Sequence, residues 1–238
     1  MKSIKRLIGA ATAIIVGMSA FGEAFAAEKE WVQTEPTNFI KLRGDSQWNE
    51  NTDGTYTFAE NGLMVCDTKM SNNYEFAVRG NGGGAYYQVS FGIQDKTNLF
   101  SDKYTILLDM QSYSDISGGN AYLLKDSGAY GYIDENTKNN AVAKLENGSI
   151  HGWGPFTLNV KYEEGKIHAE ISYDYWQDIN TVLFDYTDAE PYNGGYIGVG
   201  NAYSASGNIF MSLSYNLAEK KSYDEKTAAA EDFTTDAT

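Results

Sequence analysis

The chain has 238 residues and a formal net charge of -14 at pH 7, a charge that disfavours binding to nucleic acid or to an anionic membrane surface. A single cysteine, Cys66, excludes an intramolecular disulfide, so the stability has to come from a sizeable core. Aromatic residues make up 14% of the chain and include 18 tyrosines, which is more than core filling alone leads us to expect.

The N-terminal segment has the three parts of a secretory signal peptide. Lys2, Lys5 and Arg6 form a basic start, an apolar run follows, and Ala24-Phe25-Ala26 supplies a small-x-small cleavage pattern. The apolar run is too short for a membrane-spanning helix. We therefore expect residues 1–26 to be removed and the protein to be exported; the short basic start is typical of bacteria.

The composition divides the rest of the chain into three parts. Residues 27–36 are a polar lead-in, residues 37–216 carry alternating apolar and polar side chains, and residues 217–238 are rich in Lys, Glu, Asp, Ala and Thr. The last part predicts an acidic disordered tail. The middle part is long enough for one domain, and no later segment predicts membrane insertion.

Short runs with a period of two predict strands through the first part of the domain. The runs are Asn38–Leu42, Thr55–Phe58, Leu63–Cys66, Tyr74–Val78, Ala85–Gln94, Lys103–Gln111, Asn120–Lys125 and Val142–Leu145. The glycine-rich run at 80–84 predicts a hairpin loop, and residues 134–140 predict another loop. Cys66 is interpreted as a buried, inert thiol.

The clearest hairpin lies in the second part of the domain. Apolar and polar side chains alternate along 156–162 and again along 167–173, and Glu163-Glu164-Gly165 reverses the chain with Gly165 free to take a positive φ. Further strands are predicted at 182–186, 196–201 and 209–215. Together the elements predict an all-β fold, a two-sheet antiparallel jelly-roll β-sandwich.

The run GGYIGVGN at 194–201, with the apolar strand after it, resembles the C-terminal part of the concanavalin-A-like lectin/glucanase superfamily of laminin-G-like jelly rolls. The hairpin 155–173 and the segments YEFAVRG, YYQVSFGIQD and KYTILLDMQ are similar to its other strands. The resemblance covers roughly residues 37–216. It implies two curved antiparallel sheets with a glycan bound on the concave face or at its rim.

Glucan-cleaving members of that superfamily resemble one another in a Glu-x-Asp-x-x-Glu strand motif, and its nearest match here is weak. Glu170 and Asp174 share one face of a strand but lie about 13 Å apart, farther than either hydrolytic mechanism uses. Ser172 stands where a carboxylate is needed. We expect binding without cleavage, while a glycoside hydrolase with carboxylates from different strands stays the first alternative.

Metal chemistry finds little support in the sequence. His151 and His168 lack partners at ligand spacing, and His168 is expected to be an exposed structural residue. No cofactor is predicted. A structural calcium ion is compatible with the fold class, and Asp67, Asp95 and Asn201 are the candidate ligands for it.

Aromatic side chains in polar, glycine-rich surroundings favour a carbohydrate ligand, because a flat ring buries the apolar face of a sugar. For any one tryptophan the alternative is a plug at the end of the sandwich. The predicted ligand-binding residues are Trp48, Asp109, Gln111, Tyr113, Trp153, Glu170, Tyr175, Trp176, Asp178 and Tyr203. We expect a secreted, lectin-like domain that binds a polysaccharide; the second alternative is an envelope structural or protein-binding module.

Overall fold

The structure is a computed structural model. It describes residues 31–34, 39–43, 49–50, 56–57, 63–83, 86–110, 119–128, 134–151, 153–175, 180–201 and 209–217. The predicted signal peptide and the predicted tail beyond Leu217 lie outside these residues. No helix in the described ranges is long and apolar enough to cross a membrane.

The described residues form fifteen strands and one short helix. In chain order they are β1 (Val32–Gln33), β2 (Phe39–Arg43), β3 (Asn49–Glu50), β4 (Tyr56–Thr57), β5 (Leu63–Cys66), β6 (Asn73–Gly83), β7 (Tyr86–Ile93), β8 (Lys103–Asp109), β9 (Gly119–Asp126), α1 (Glu135–Asn139), β10 (Ala143–Ile150), β11 (Trp153–Glu163), β12 (Lys166–Tyr173), β13 (Asn180–Thr187), β14 (Tyr196–Asn201) and β15 (Ile209–Leu217).

The strands pair into two sheets. Within the described residues, an eight-stranded sheet has the order β13-β12-β11-β6-β15-β4-β3, with β1 also on β15, and a seven-stranded sheet has the order β10-β9-β8-β7-β14-β5-β2. All of the described ladders are antiparallel. The predicted all-β, two-sheet antiparallel sandwich is confirmed.

The predicted hairpin is β11 and β12. Phe156 pairs with Tyr173, and the register runs without a shift to Glu163 opposite Lys166. Glu164 and Gly165 form the two-residue turn with φ values of 49° and 92°, the positive values that a tight hairpin requires. A residue with a Cβ at 165 would also meet Pro191 Cβ at 2.7 Å.

The sequence predicts a hairpin loop at residues 80–84, but residues 80–83 belong to a strand. β6 continues to Gly83 and pairs with β11 along its whole length, whereas β7 belongs to the other sheet. Position 80 needs a glycine because two rings pack against it. A Cβ there would lie 2.8 Å from the Tyr87 hydroxyl and 3.0 Å from Phe156 Cζ. Two residues, 84 and 85, separate the strands of the two sheets.

The segment before β10 is also more ordered than predicted. Residues 135–139, which the sequence places in a loop, form helix α1. The Asp134 side chain caps the helix by accepting from the Thr137 amide at 2.7 Å, and Glu135 and Lys138 suit the helix dipole at its two ends. β10 then runs from Ala143 to Ile150, longer than the predicted strand.

The core between the sheets accounts for many of the tyrosines. Among the largest fully buried side chains are Tyr74, Tyr87, Tyr104 and Tyr162, and Tyr74, Tyr104 and Phe91 all contact Tyr162 or one another as ring pairs. The expectation that tyrosines exceed the needs of the core was therefore too strong. Cys66 is fully buried, which confirms its interpretation as a buried thiol.

A polar network joins the two sheets at one end, here called the Asp188 end. Asp188, just after β13, accepts a hydrogen bond from the Tyr104 hydroxyl at 2.5 Å and pairs with the Lys125 ammonium at 2.7 Å. Its amide donates to Gly165 O at 2.9 Å, and Lys125 lies over the Tyr192 ring. Tyr104 and Lys125 belong to the seven-stranded sheet, so one carboxylate fastens both sheets together.

The first and last described strands are neighbours. Val32 in β1 lies opposite Tyr215 in β15, and the Thr34 amide donates to Leu213 O at 2.8 Å. Residues 31–34, within the predicted polar lead-in, thus contribute to the eight-stranded sheet. Because the pair is antiparallel, the chain enters and leaves the domain at the same end; Leu217 pairs with Tyr74 beside the β11–β12 turn, at the Asp188 end.

Candidate functional site

The end opposite Asp188 gathers polar side chains from the seven-stranded sheet. Tyr86, Asp109 and Asn120 stand in one register row across β7, β8 and β9. Their neighbours Tyr87, Leu108 and Ala121 are in the core, so the row lies on the outer face of that sheet. Asn120 Nδ2 donates to Asp109 Oδ2 at 3.5 Å, and both side chains are partly exposed.

The same end brings the eight-stranded sheet close. Gly83 of the eight-stranded sheet pairs with Trp153 and lies only three residues before Tyr86. At about 3.8 Å per residue, the Cα atoms of Gly83 and Tyr86 are at most about 11 Å apart. A second crossing runs from Ile150, which pairs with Gly119, to Trp153. We call this region the Asp109 end, defined by Gly83, Tyr86, Asp109, Asn120 and Trp153.

An exposed aromatic side chain lies where β12 leaves the eight-stranded sheet. Tyr175 follows that strand and is 75% exposed. The preceding residue, Asp174, forms an ion pair with Arg79 of β6 and its amide donates to Pro155 O at 3.1 Å. A flat ring that is held next to an anchored turn and open to solvent can stack on a planar or ring-shaped ligand.

Helix α1 influences the neighbouring part of the outer face. Tyr86, Leu107, Tyr122 and Leu124 form a small buried cluster there, and Ala141, just beyond the helix, packs against it. Burial raises the pKa of the Tyr122 hydroxyl, and the Lys138 ammonium of α1 acts in the opposite direction. The phenol stays neutral at physiological pH and can donate or accept a hydrogen bond.

The buried histidine lies at the second crossing. The His151 amide donates to the Tyr173 hydroxyl at 2.8 Å, and the two rings meet edge to face at 4.8 Å. Burial lowers the pKa of the imidazole, so the ring is neutral at physiological pH. His168 is half-exposed in the other sheet and contacts Asp185 Oδ1 at 2.6 Å.

The structure describes four of the ten predicted ligand-binding residues, and it brings two of them, Asp109 and Trp153, to the Asp109 end. Tyr175 follows β12 at the open end of the β11–β12 hairpin, where Tyr173 pairs with Phe156. The other six lie outside the described residues: Trp48, Gln111, Tyr113, Trp176, Asp178 and Tyr203. β14 ends and β15 begins at the Asp109 end, where Asn201 lies opposite Tyr87 and Ile209 lies opposite Asn81.

Glu170 does not join this group. It pairs with Asn159 in the middle of β11, six residues or about 20 Å along the strand from Trp153, and its carboxylate accepts from Asn180 Nδ2 at 3.1 Å. Asp174, the other half of the weak hydrolase match, is held by Arg79. Each carboxylate thus has its own partner.

The three candidate calcium ligands have separate surroundings. Asp67 forms an ion pair with Lys96, and Asp95 accepts from the Thr97 amide at 2.9 Å and hydroxyl at 2.7 Å. Asn201 is buried at the Asp109 end. In the described ranges, no group of three or more His, Cys, Asp or Glu side chains is placed to hold a metal ion.

Comparison with solved structures identifies the architecture. The chain is similar to the exoplasmic/lumenal domain of VIP36 in its Ca²⁺/Man2-bound form, with a TM-score of 0.51, 11% identity and coverage of 83% of this chain and 84% of that one. The winged bean acidic lectin complexed with methyl-alpha-D-galactose gives a TM-score of 0.52 at 8% identity over 79% and 98%. This chain has the concanavalin-A-like lectin fold.

A third lectin structure agrees with this fold. The Emp47p carbohydrate recognition domain gives a TM-score of 0.50 at 15% identity, covering 76% of this chain and 89% of that one. No family model and no curated protein sequence matches the chain. The likeness is therefore one of the backbone architecture, and the resemblance inferred from the strand pattern is confirmed at that level.

Tyr86 and Asn120 belong to the candidate site although sequence reasoning did not select them. Both occur in predicted strands, and the alternation along NAYLLK already placed Asn120 opposite in orientation to Ala121. Their position beside Asp109 depends on the pairing of β7, β8 and β9, which a single sequence leaves open. The signal in the sequence that indicates Tyr86 and Asn120 is the presence of polar residues at the ends of neighbouring strands.

Proposed function

We propose that this chain is an exported glycan-binding domain with its binding site at the Asp109 end. The observation that carries the proposal is the register that places Asp109, Asn120 and Tyr86 in one row, at the same end of the sandwich as the start of β11 at Trp153. A carboxylate and an amide supply an acceptor and donors for sugar hydroxyls, and the exposed ring of Tyr175 can cover the apolar face of a sugar.

Three further facts support this proposal. Two of the structures with this fold contain a bound sugar, Man2 for VIP36 and methyl-alpha-D-galactose for the winged bean acidic lectin. The N-terminal pattern predicts export to the place where polysaccharides occur. The net charge of -14 favours neutral polymers over nucleic acid.

The proposed ligand is a neutral polysaccharide, bound without cleavage. Shallow, solvent-wetted sites with few anchors give affinities from about micromolar to millimolar. Glu170 is left out of the proposed site because of its distance from Trp153. Asp109 and Asn120 are partly exposed, which allows an internal stretch of a long chain to bind as well as its end.

The test is a depletion assay of residues 27–238 against a panel of insoluble and soluble polysaccharides. Asp109→Ala should weaken binding about 10- to 100-fold, because a hydrogen bond to a charged group contributes roughly 1.5–3 kcal/mol. Reducing sugar is measured in the same tubes.

Asp185→Ala is the matched control for this assay. Asp185 is an exposed carboxylate of the eight-stranded sheet, and its loss should leave the affinity unchanged. An equal loss of affinity in both variants would indicate a general charge effect and contradict the site. Release of reducing sugar would replace the proposal by a glycoside hydrolase.

A further inference from the structure

A short polar track runs through the outer face of the seven-stranded sheet. Gln88, Ser90 and Thr105 are all fully buried, at 0% exposure. Gln88 Nε2 donates to Ser90 Oγ at 3.1 Å, and the Ser90 and Thr105 hydroxyls are 3.1 Å apart. Buried polar side chains are costly unless they are hydrogen-bonded, so this track requires a full set of partners.

One acceptor in the track lacks its partner. Among the described residues, Gln88 Oε1 has no hydrogen-bond partner. A buried acceptor without a donor destabilises the fold, and protein folds supply such groups with a water molecule or a ligand. The amide oxygen therefore marks a place where a further donor belongs.

The surroundings of Gln88 define the chemistry of that donor. On one side the register places Gly200 opposite Gln88 and Gly198 opposite Ser90, so β14 contributes backbone and no side chains there. Glycines in a strand interior often mark the close approach of a ligand. On the other side Leu107 pairs with Gln88, and no charged side chain belongs to the track, which favours a neutral donor.

The track is continuous with the proposed glycan site. Gln88 is two residues from Tyr86 on the same face of β7, a distance of about 7 Å. We propose that Gln88 Oε1 is the acceptor of a buried subsite that takes a neutral hydroxyl group. The hydroxyl belongs to a sugar unit that extends inward from the Asp109 end, or to a water molecule, and the sugar source rests on the proposed function.

The test compares Gln88→Met with Thr105→Val in residues 27–238. Gln88→Met removes the amide at nearly constant volume, and Thr105→Val removes one hydrogen bond of the same track without touching the amide oxygen. Polysaccharide depletion, methyl mannoside and methyl galactoside titrations, and urea unfolding midpoints are measured for both variants.

If the donor to Gln88 Oε1 is a sugar hydroxyl, Gln88→Met should weaken glycan binding about 10-fold, the effect of one lost buried hydrogen bond. Thr105→Val should then bind within about twofold of the parent. Bound water predicts unchanged affinity and a larger fall of the urea midpoint for Gln88→Met than for Thr105→Val. If Gln88→Met binds as well as Thr105→Val and is equally stable or more stable, the subsite is disproved.

The two proposals fail in different ways in this experiment. If no polysaccharide or methyl glycoside binds the parent domain, the proposed function fails, and the urea midpoints alone decide for or against the hydroxyl subsite. If Asp109→Ala loses affinity but Gln88→Met does not, and the midpoints of Gln88→Met and Thr105→Val agree, the glycan site stands and the Gln88 subsite falls.

Discussion

Replacing Asp188 by alanine is expected to lower the free energy of unfolding by about 3 kcal/mol, as is typical when one partner of a buried ion pair is removed. The Lys125 ammonium and the Tyr104 hydroxyl share this carboxylate as their acceptor, and the substitution leaves both without it. Urea unfolding of residues 27–238, followed by intrinsic fluorescence, measures the loss as a shift of the midpoint at constant slope.

Asp185→Ala provides the comparison, in the strand that leads to Asp188. Asp185 also has a close partner, His168 Nδ1 at 2.6 Å, but its side chain is 74% exposed. Exposed pairs contribute at most about 1 kcal/mol, so this variant should be nearly as stable as the parent. Similar losses in the two variants would show that the burial of Asp188 and its link between the sheets have no special effect.

The same carboxylate should make stability depend on pH. Burial raises the pKa of Asp188, but the hydrogen bonds from Lys125 and Tyr104, together with the Glu190 amide, outweigh burial and leave the pKa below its ordinary value. A lowered folded-state pKa gives stability that is present above the unfolded value, about 3.9, and is lost as the pH falls through the folded one.

The pH effect is measured as the difference in unfolding free energy between the parent and Asp188→Asn. This difference should be constant from about pH 7 to pH 5 and should shrink below about pH 4, where the parent carboxylate takes up its proton. A difference that grows as the pH falls would contradict the assignment of a lowered pKa.

Substituting alanine for Gly195 is expected to cost about 3 kcal/mol or more, from backbone strain and overpacking together. Gly195 has a φ of 132°, and a Cβ there would lie 2.5 Å from the Gly92 carbonyl carbon. The residue cannot move away, because its amide and carbonyl both bond to Met70, at 3.2 and 2.7 Å. Thermal and urea unfolding of Gly195→Ala measure the loss.

Asn193→Ala tests whether the effect belongs to position 195 or to the whole segment. Asn193 is exposed two residues earlier, and exposed substitutions of this kind change stability by less than about 0.5 kcal/mol. If Gly195→Ala unfolds at the same urea concentration as Asn193→Ala, the packing of Gly195 on Gly92 is looser than the structure shows.

The hairpin and most strands were predictable because local side-chain alternation determines them. Phe156, Leu158 and Val160 face the core in the order that the sequence indicates. The glycine run misled because Gly80 is required by two rings, Tyr87 and Phe156, that come from other strands. A contact of that kind leaves no trace in the alternation along β6.

The site was predictable only in part, for a related reason. Asp109 stood out because it follows buried neighbours with the opposite orientation, and that inference needs one strand only. Tyr86 and Asn120 join it through the register of three strands. The burial of Gln88 depends on both faces of a sheet being covered, which the pattern of one strand cannot reveal. Long-range pairing is what single-sequence reasoning lacks here.

The pairing of β1 with β15 fixes how the domain is presented when it is tethered. Both the entry at Trp31 and the exit at Leu217 lie at the Asp188 end, with Asp109 and Trp153 at the far end. An attachment made close to either of these residues, to a bead, a cell surface or a fused domain, therefore leaves the Asp109 end on the far side. Adjacent termini of this kind also tolerate circular permutation, so the domain can be joined head to tail without turning its proposed binding end toward the support.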